Sequence, residues 1–249
     1  ISVAHVEAGL RSFDRSMPEE INRVLTDQIS DLLFITSPEA EVNLLKEGKD
    51  KDQINFVGNT MIDSLIRFQS HFDSVHIKDA CGFQDKKYVL ITLHRPSNVD
   101  DPVNLEQLIA SLNCVAETVP CLWPLHPRTR KQLDNITPKV HDRLFIIDPL
   151  GYLEFMGLQR DAAAVITDSG GIQEESTFLG VPCLTVRDNT ERPITIEQGT
   201  NRLVGTEYSN IPEIVREAIV EKSVPRVPEL WDGKSSERIA RVLLNHSKF

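Results

Sequence analysis

Residues 167–193 read TDSGGIQEESTFLGVPCLTVRDNTERP and leave few folds open. The apolar run AAVIT at 163–167 suits a short buried strand. Asp168, Ser169, Gly170 and Gly171 then make a tight turn with nothing bulky to block a ligand. A helix from about Ile172 would point its unpaired N–H groups and positive dipole end above that turn, where an anion fits. A second strand follows and empties into a loop carrying Arg187 and Arg192. Glu175, one helical turn in, could accept hydrogen bonds from both hydroxyls of a ribose, and the two arginines could neutralise phosphate by bidentate contact. A Ser-Gly-Gly turn alone is more often a plain helix start than a phosphate site. A glutamate and two arginines at the carboxyl ends of strands, the edge where open α/β sheets bind ligands, favour a nucleotide diphosphate.

Alternation of strand and helix runs through the rest of the chain. Apolar patterning predicts strands over 31–35, 54–57, 87–92, 121–125 and 144–147. Helices are expected from the Ser37-Pro38 cap to Gly48, and over 59–72, 101–119, 127–133, 152–160, 210–221 and 234–246. In 101–119, Val103, Leu105, Leu108, Ile109, Leu112 and Val115 recur near helical spacing. This order argues a parallel sheet with helices on both faces. The polar, aperiodic stretch 70–84 reads as a linker, and the Pro-containing stretch 223–233 as a return to the first domain. The expected division is 1–70, 71–222 and 223–249. The opening Ile-Ser-Val-Ala lacks Met and reads as mid-strand, so the chain is expected to be the later portion of a longer protein.

The net charge of −10 speaks against nucleic acid or an anionic membrane as partner. No apolar run approaches the ~20 residues of a membrane span, and no signal-peptide pattern opens the chain. Cytoplasm is the expected location. Cys81, Cys114, Cys121 and Cys183 lack metal or redox spacing. Of these, Cys114, Cys121 and Cys183 read as small core residues. No nicotinamide fingerprint is present, so neither metal nor cofactor is expected.

Three sets of motifs resemble the UDP-N-acetylglucosamine 2-epimerase family, non-hydrolysing type. They are SGGIQEE at 169–175 with RDNTERP at 187–193, HVEAGLR at 5–11 with PEEINR at 18–23, and TLHRPSN at 92–98. HVEAGLR and RDNTERP discriminate the family. Glu175 with Gly180 and Pro182 is shared with many nucleotide-sugar glycosyltransferases. The resemblance implies two Rossmann-like domains in a GT-B arrangement, the first incomplete here, with the active site in the cleft between domains, and a homodimer. It implies C2 epimerisation of a UDP-2-acetamido sugar by elimination of UDP and re-addition to a glycal. Glu7 and Glu19 match the family's acid–base carboxylates and His94 its cleft histidine, with Arg11 and Arg23 beside them. Ser169, Gly170, Gly171 and Arg192 would hold the diphosphate, and Glu175 the ribose.

Each position has a plainer alternative. Glu19 and Glu20 could simply favour a helix N-terminus, and Arg23 could form an i,i+4 pair with Glu19. His94 follows a strand and could be structural, and His126 repeats that placement as a cleft-lining candidate. Phe155 could pack on uracil or in the core. The run after His94 departs from the family's usual Arg-Arg-Glu-Asn: Pro96 alters the loop and Ser97 replaces the acidic residue, which opens the choice of sugar to a uronic acid form. A hydrolysing epimerase, a GT-B glycosyltransferase and a catalytically dead nucleotide-sugar sensor compete. Low aromatic content (6%) and acidity disfavour the transferase, and the retained Glu7, Glu19, His94 and Arg192 disfavour the sensor.

Overall fold

The computed structural model describes residues 1–83, 87–221 and 227–246. The chain divides into two compact units. The first comprises Ile1–Gln69, Thr190–Gln198 and Val227–Phe249, and the second Ser70–Asn189 and Gly199–Arg226. Residues 190–198, expected in the second domain, therefore group with the first unit. Of the expected linker and return stretch, Gln84 and residues 223–226 lie outside the described residues.

The first unit contains β1 (Ala4–Val6), α1 (Pro18–Ile29), β2 (Leu32–Ile35), α2 (Pro38–Lys46), β3 (Ile54–Phe56) and α3 (Thr60–Phe68), with α10 (Ile194–Glu197) and α12 (Ser235–Asn245). The three strands are parallel in the order β1-β2-β3. Alternate residues of β2 feed opposite faces, as a strand's period of two requires. Leu33 and Ile35 pack with Ala8, Ala40 and Leu44, while Leu32 and Phe34 pack with Val57, Ile239, Val242 and Leu243. So α12 covers one face of this sheet and α2 the other. Asp63 of α3 accepts from the backbone N–H groups of Ser235 (3.1 Å) and Ser236 (2.7 Å), capping α12 from a residue far away in sequence. Ser37 precedes α2 as expected, but its hydroxyl makes no cap hydrogen bond, and Pro38 sets the first turn.

The second unit contains α4 (Val75–Ala80), β4 (Val89–Thr92), α5 (Pro96–Val99), α6 (Pro102–Thr118), β5 (Cys121–Pro124), α7 (Pro127–Ile136), β6 (Leu144–Ile147), α8 (Tyr152–Asp161), β7 (Ala164–Thr167), α9 (Gly170–Leu179), β8 (Cys183–Thr185), β9 (Asn201–Leu203) and α11 (Ile211–Val220). Its six strands are all parallel in the order β6-β5-β4-β7-β8-β9. Counted from β4, that is 3-2-1-4-5-6, the order of a doubly wound dinucleotide-type sheet. The order reverses between β4 and β7, which pair directly through Thr92 and Thr167. At such a switch point the loops leaving the two strands diverge to opposite faces and open a crevice at their carboxyl ends. One sheet face packs against α6 and α11 through Leu105, Leu108, Leu112, Ile211 and Val215. The other packs through Tyr88, Leu90, Leu122, Leu158 and Val165.

Cys121 and Cys183 are buried as expected, but Cys114 is exposed. It falls on the outer side of α6, between the inward Leu112 and Val115. Among the described residues, no helix is long and apolar enough to cross a membrane.

Candidate functional site

The switch point of the second unit places the Ser169-Gly170-Gly171 turn after β7 and His94 after β4. The helix begins at Gly170, two residues earlier than expected, so both glycines lie in the first turn of α9. Ser169 sits at the N-cap with no side-chain cap bond, and its own N–H is taken by Thr167 Oγ1 at 3.0 Å. First-turn N–H groups lack intrahelical acceptors, and the ten-residue helix adds its dipole, so this end presents an anion-accepting edge.

Glu175 lies one turn further in and is 4% exposed. Tyr152, at the start of α8, donates its hydroxyl to Glu175 Oε1 at 3.2 Å. Burial dominates the titration of Glu175: it pushes the carboxyl up to about 7, with neighbouring Glu174 adding to the rise and the Tyr152 bond opposing it. Phe155, one turn along α8, packs against the core cluster that contains Leu158 and Val165. Arg187, buried in the loop after β8, donates to Asn189 Oδ1 at 3.3 Å.

His94 is held by an acid that the sequence reading did not single out. Asp168 is fully buried, and its Oδ1 lies 3.0 Å from His94 Nδ1. The same carboxylate accepts from the backbone N–H of His94 (3.0 Å) and Arg95 (2.8 Å) and from Asn98 Nδ2 (3.0 Å). Burial would raise its pKa, but these bonds, led by that of His94, outweigh burial and hold it below the ordinary carboxylate range. Pro96 opens the one-turn α5, which turns Asn98 inward. The His126 ring lies 5.2 Å from that of His94, centroid to centroid. Its Nδ1 accepts from the Arg128 N–H at 3.2 Å, capping α7. Desolvation and the neighbouring His94 and Arg128 push its pKa down.

In the first unit, β1 ends and the chain turns sharply at Glu7 (φ 68°) and Gly9 (φ 78°). A Cβ on Gly9 would lie 2.6 Å from the Ala40 carbonyl oxygen, so only glycine fits. The strained Glu7 backbone is pinned on its far side: Ala8 donates to Phe34 O (3.0 Å) and Gly9 to Asp27 Oδ2 (3.1 Å). The Glu7 carboxylate is left partly exposed, 3.8 Å from Arg192 Nη2. Arg192 also donates to Glu191 at 2.6 Å, and Glu191 in turn lies 3.5 Å from Arg23. The first unit thus gathers Glu7, Arg192, Glu191 and Arg23 into one charged chain.

Three expectations change. Arg23 pairs with Glu20 (3.4 Å), not with Glu19 four residues before it. Glu20 is buried and accepts from Ser12 N, Ser12 Oγ and Phe13 N, so it braces the loop, while Glu19 stays exposed at the start of α1. Arg11 is also structural: it is buried, bonds Asp27 at 2.6 Å and Glu47 at 2.7 and 2.8 Å, and locks the β1–α1 loop onto α2. Arg187 and Arg192 belong to different units. Among the described residues, no group of three or more His, Cys, Asp or Glu could hold a metal ion.

A family model described as UDP-N-acetylglucosamine 2-epimerase matches residues 1–244. The chain is 44% identical over 259 residues to a UDP-N-acetylglucosamine 2-epimerase of Methanocaldococcus jannaschii, covering 98% of this chain and 69% of that one. It is 42% identical over 248 residues to the UDP-2,3-diacetamido-2,3-dideoxy-D-glucuronate 2-epimerase of Pseudomonas aeruginosa, covering 98% and 68%. A crystal structure of the M. jannaschii UDP-GlcNAc 2-epimerase in complex with UDP-GlcNAc and UDP superposes with a TM-score of 0.90 at 42% identity, covering 99% of this chain and 70% of that one.

Proposed function

The chain belongs to the UDP-N-acetylglucosamine 2-epimerase family, and we propose from this that it epimerises C2 of a UDP-2-acetamido sugar, converting UDP-GlcNAc to UDP-ManNAc. The observation that carries the reading is the switch point of the six-stranded sheet, where the N-terminus of α9 meets buried Glu175 and the Asp168-held His94. These are the parts a nucleoside diphosphate needs: N–H donors for phosphate, a carboxylate for the ribose diol and a proton carrier at the leaving oxygen.

The C2 proton is not acidic enough to be removed without loss of a leaving group. A carboxylate takes that proton while the C1–O bond breaks, its electron pair going to the diphosphate and a C1–C2 double bond forming. UDP then adds back at C1 as a proton reaches the opposite face of C2. Glu7 and Glu19 are the carboxylates assigned to this proton traffic, and Arg23 and Arg192 the cations for developing phosphate charge. Gly170, Gly171 and Ser169 take the diphosphate, Glu175 the ribose, and His126 stands beside His94. Phe155, half-buried on α8, is assigned to the uracil. A homodimer in the cytoplasm completes the proposal.

The loop from Arg95 to Asn98 supports a second sugar, a 2,3-diacetamido uronate, because Pro96 and Ser97 stand where the family commonly has Arg and Glu. Incubating the protein with each UDP-sugar and separating the products tests both readings. The expected product is the C2 epimer with UDP still attached. Free ManNAc plus UDP would replace the proposal with a hydrolysing epimerase.

A further inference from the structure

At the carboxyl edge of the second sheet the connection after β4 converges on Asp168, and the loops after β8 and β9 reach its partner Asn98. Asp168 accepts from His94 and Arg95 after β4, and from Asn98 of α5. Asn98 Nδ2 also reaches Val186 O after β8 (3.1 Å), and Tyr208, after β9, donates its hydroxyl to Asn98 Oδ1 (3.1 Å). Arg95 Nε returns to the Asp168 carbonyl oxygen at 2.8 Å. Both carboxylate oxygens are therefore surrounded by donors. A buried carboxyl in that setting acts as acceptor only, so the proton between Asp168 and His94 belongs to the imidazole Nδ1. Nε2 is then the only ring atom of His94 that can exchange a proton with a ligand. The neighbouring His126 likewise has its Nδ1 occupied, accepting from the Arg128 N–H.

We propose that Asp168 is a positioning residue: it fixes His94 in the Nδ1–H form and ties the imidazole to the adjacent Ser169-Gly170-Gly171 turn. The inference rests on the reading of that turn as the diphosphate site. Asp168 directly precedes the turn in sequence, so the groups that hold phosphate and the group that carries its proton share one anchor. The carboxylate also compensates an imidazolium when His94 Nε2 is protonated, which balances the charge next to a bound anion.

The test is ¹⁵N NMR of the histidines in the wild-type protein and in Asp168→Asn, with UDP titrations of both. In the wild type, neutral His94 is expected in the Nδ1–H form. Asparagine must turn its amide toward one of the donors, so His94 is expected to switch to the Nε2–H form. In that variant kcat falls roughly 10- to 100-fold while UDP affinity stays within about threefold. A wild-type His94 found in the Nε2–H form would overturn the proposal even if the variant did not fold. So would an Asp168→Asn protein with unchanged tautomer and unchanged kcat. Failure of the wild type to bind UDP would instead remove the diphosphate reading, and the tautomer result would still stand on its own.

Discussion

Glu7→Gln lowers kcat for C2 epimerisation roughly 1,000-fold and leaves UDP affinity within about threefold. Glutamine keeps the size and polarity of the side chain but cannot take a proton. The loop around it should not move, because its strained backbone is held by Phe34 O and Asp27 rather than by the Glu7 side chain. Arg192 keeps its 2.6 Å bond to Glu191. Glu20→Gln is the control: it removes charge from a carboxylate that accepts three bonds in the β1–α1 loop, so it should lower Tm. Steady-state rates and calorimetric UDP titrations separate the two variants. If Glu7→Gln loses UDP affinity in proportion to kcat, Glu7 is a binding group and its assigned role is wrong.

Glu175→Gln weakens UDP binding by about 3 kcal/mol, roughly 150-fold, because two ribose hydroxyls lose a charged acceptor. The same substitution raises stability at alkaline pH. The folded pKa of Glu175, about 7, lies above its ordinary 4.5. Its favourable contribution is therefore complete below pH 4.5 and is lost as pH rises through about 7. At pH 8 the ionised, buried carboxylate costs up to about 3 kcal/mol, which glutamine removes. Binding has the opposite preference, since ribose hydroxyls donate to the ionised form. UDP affinity should fall as pH drops below 7, and binding near pH 6.5 should release a proton. Calorimetry in buffers of different ionisation enthalpy measures that proton directly. A variant with unaltered UDP affinity, or a wild type that binds UDP with no proton release below pH 7, would remove Glu175 from the ribose site.

The strands that surround the second-unit site were legible in the sequence because they are apolar runs buried on both faces, as parallel sheets require. β9 was not. Its Asn-Arg-Leu sequence carries little apolar signal, and beside its backbone pairing with β8 it is fixed by side chains: Thr185 Oγ1 donates to Asn201 Oδ1 at 2.6 Å, and Asn201 Nδ2 donates to Gln173 at 3.0 Å. α4 was hidden in the polar linker for the same reason. It docks through Ile77 and through a 2.6 Å bond from Lys78 to Asp161, partners remote in sequence. The nucleotide-type turn was readable from local residue types. Which of two adjacent glutamates is buried, and that Arg11 faces Asp27 and Glu47, depends on how α1 docks. Asp168 left its only trace as an acidic residue between a buried strand and a glycine turn, a place where a charge needs partners to be tolerated.

Proton NMR of UDP-GlcNAc incubated with the full-length enzyme in D2O tests the central claim most directly. Epimerisation through a glycal predicts that UDP-ManNAc appears and that deuterium enters C2 of both epimers, with UDP remaining attached at equilibrium. Epimer formation without deuterium at C2, or no exchange with any UDP-2-acetamido sugar, would contradict it.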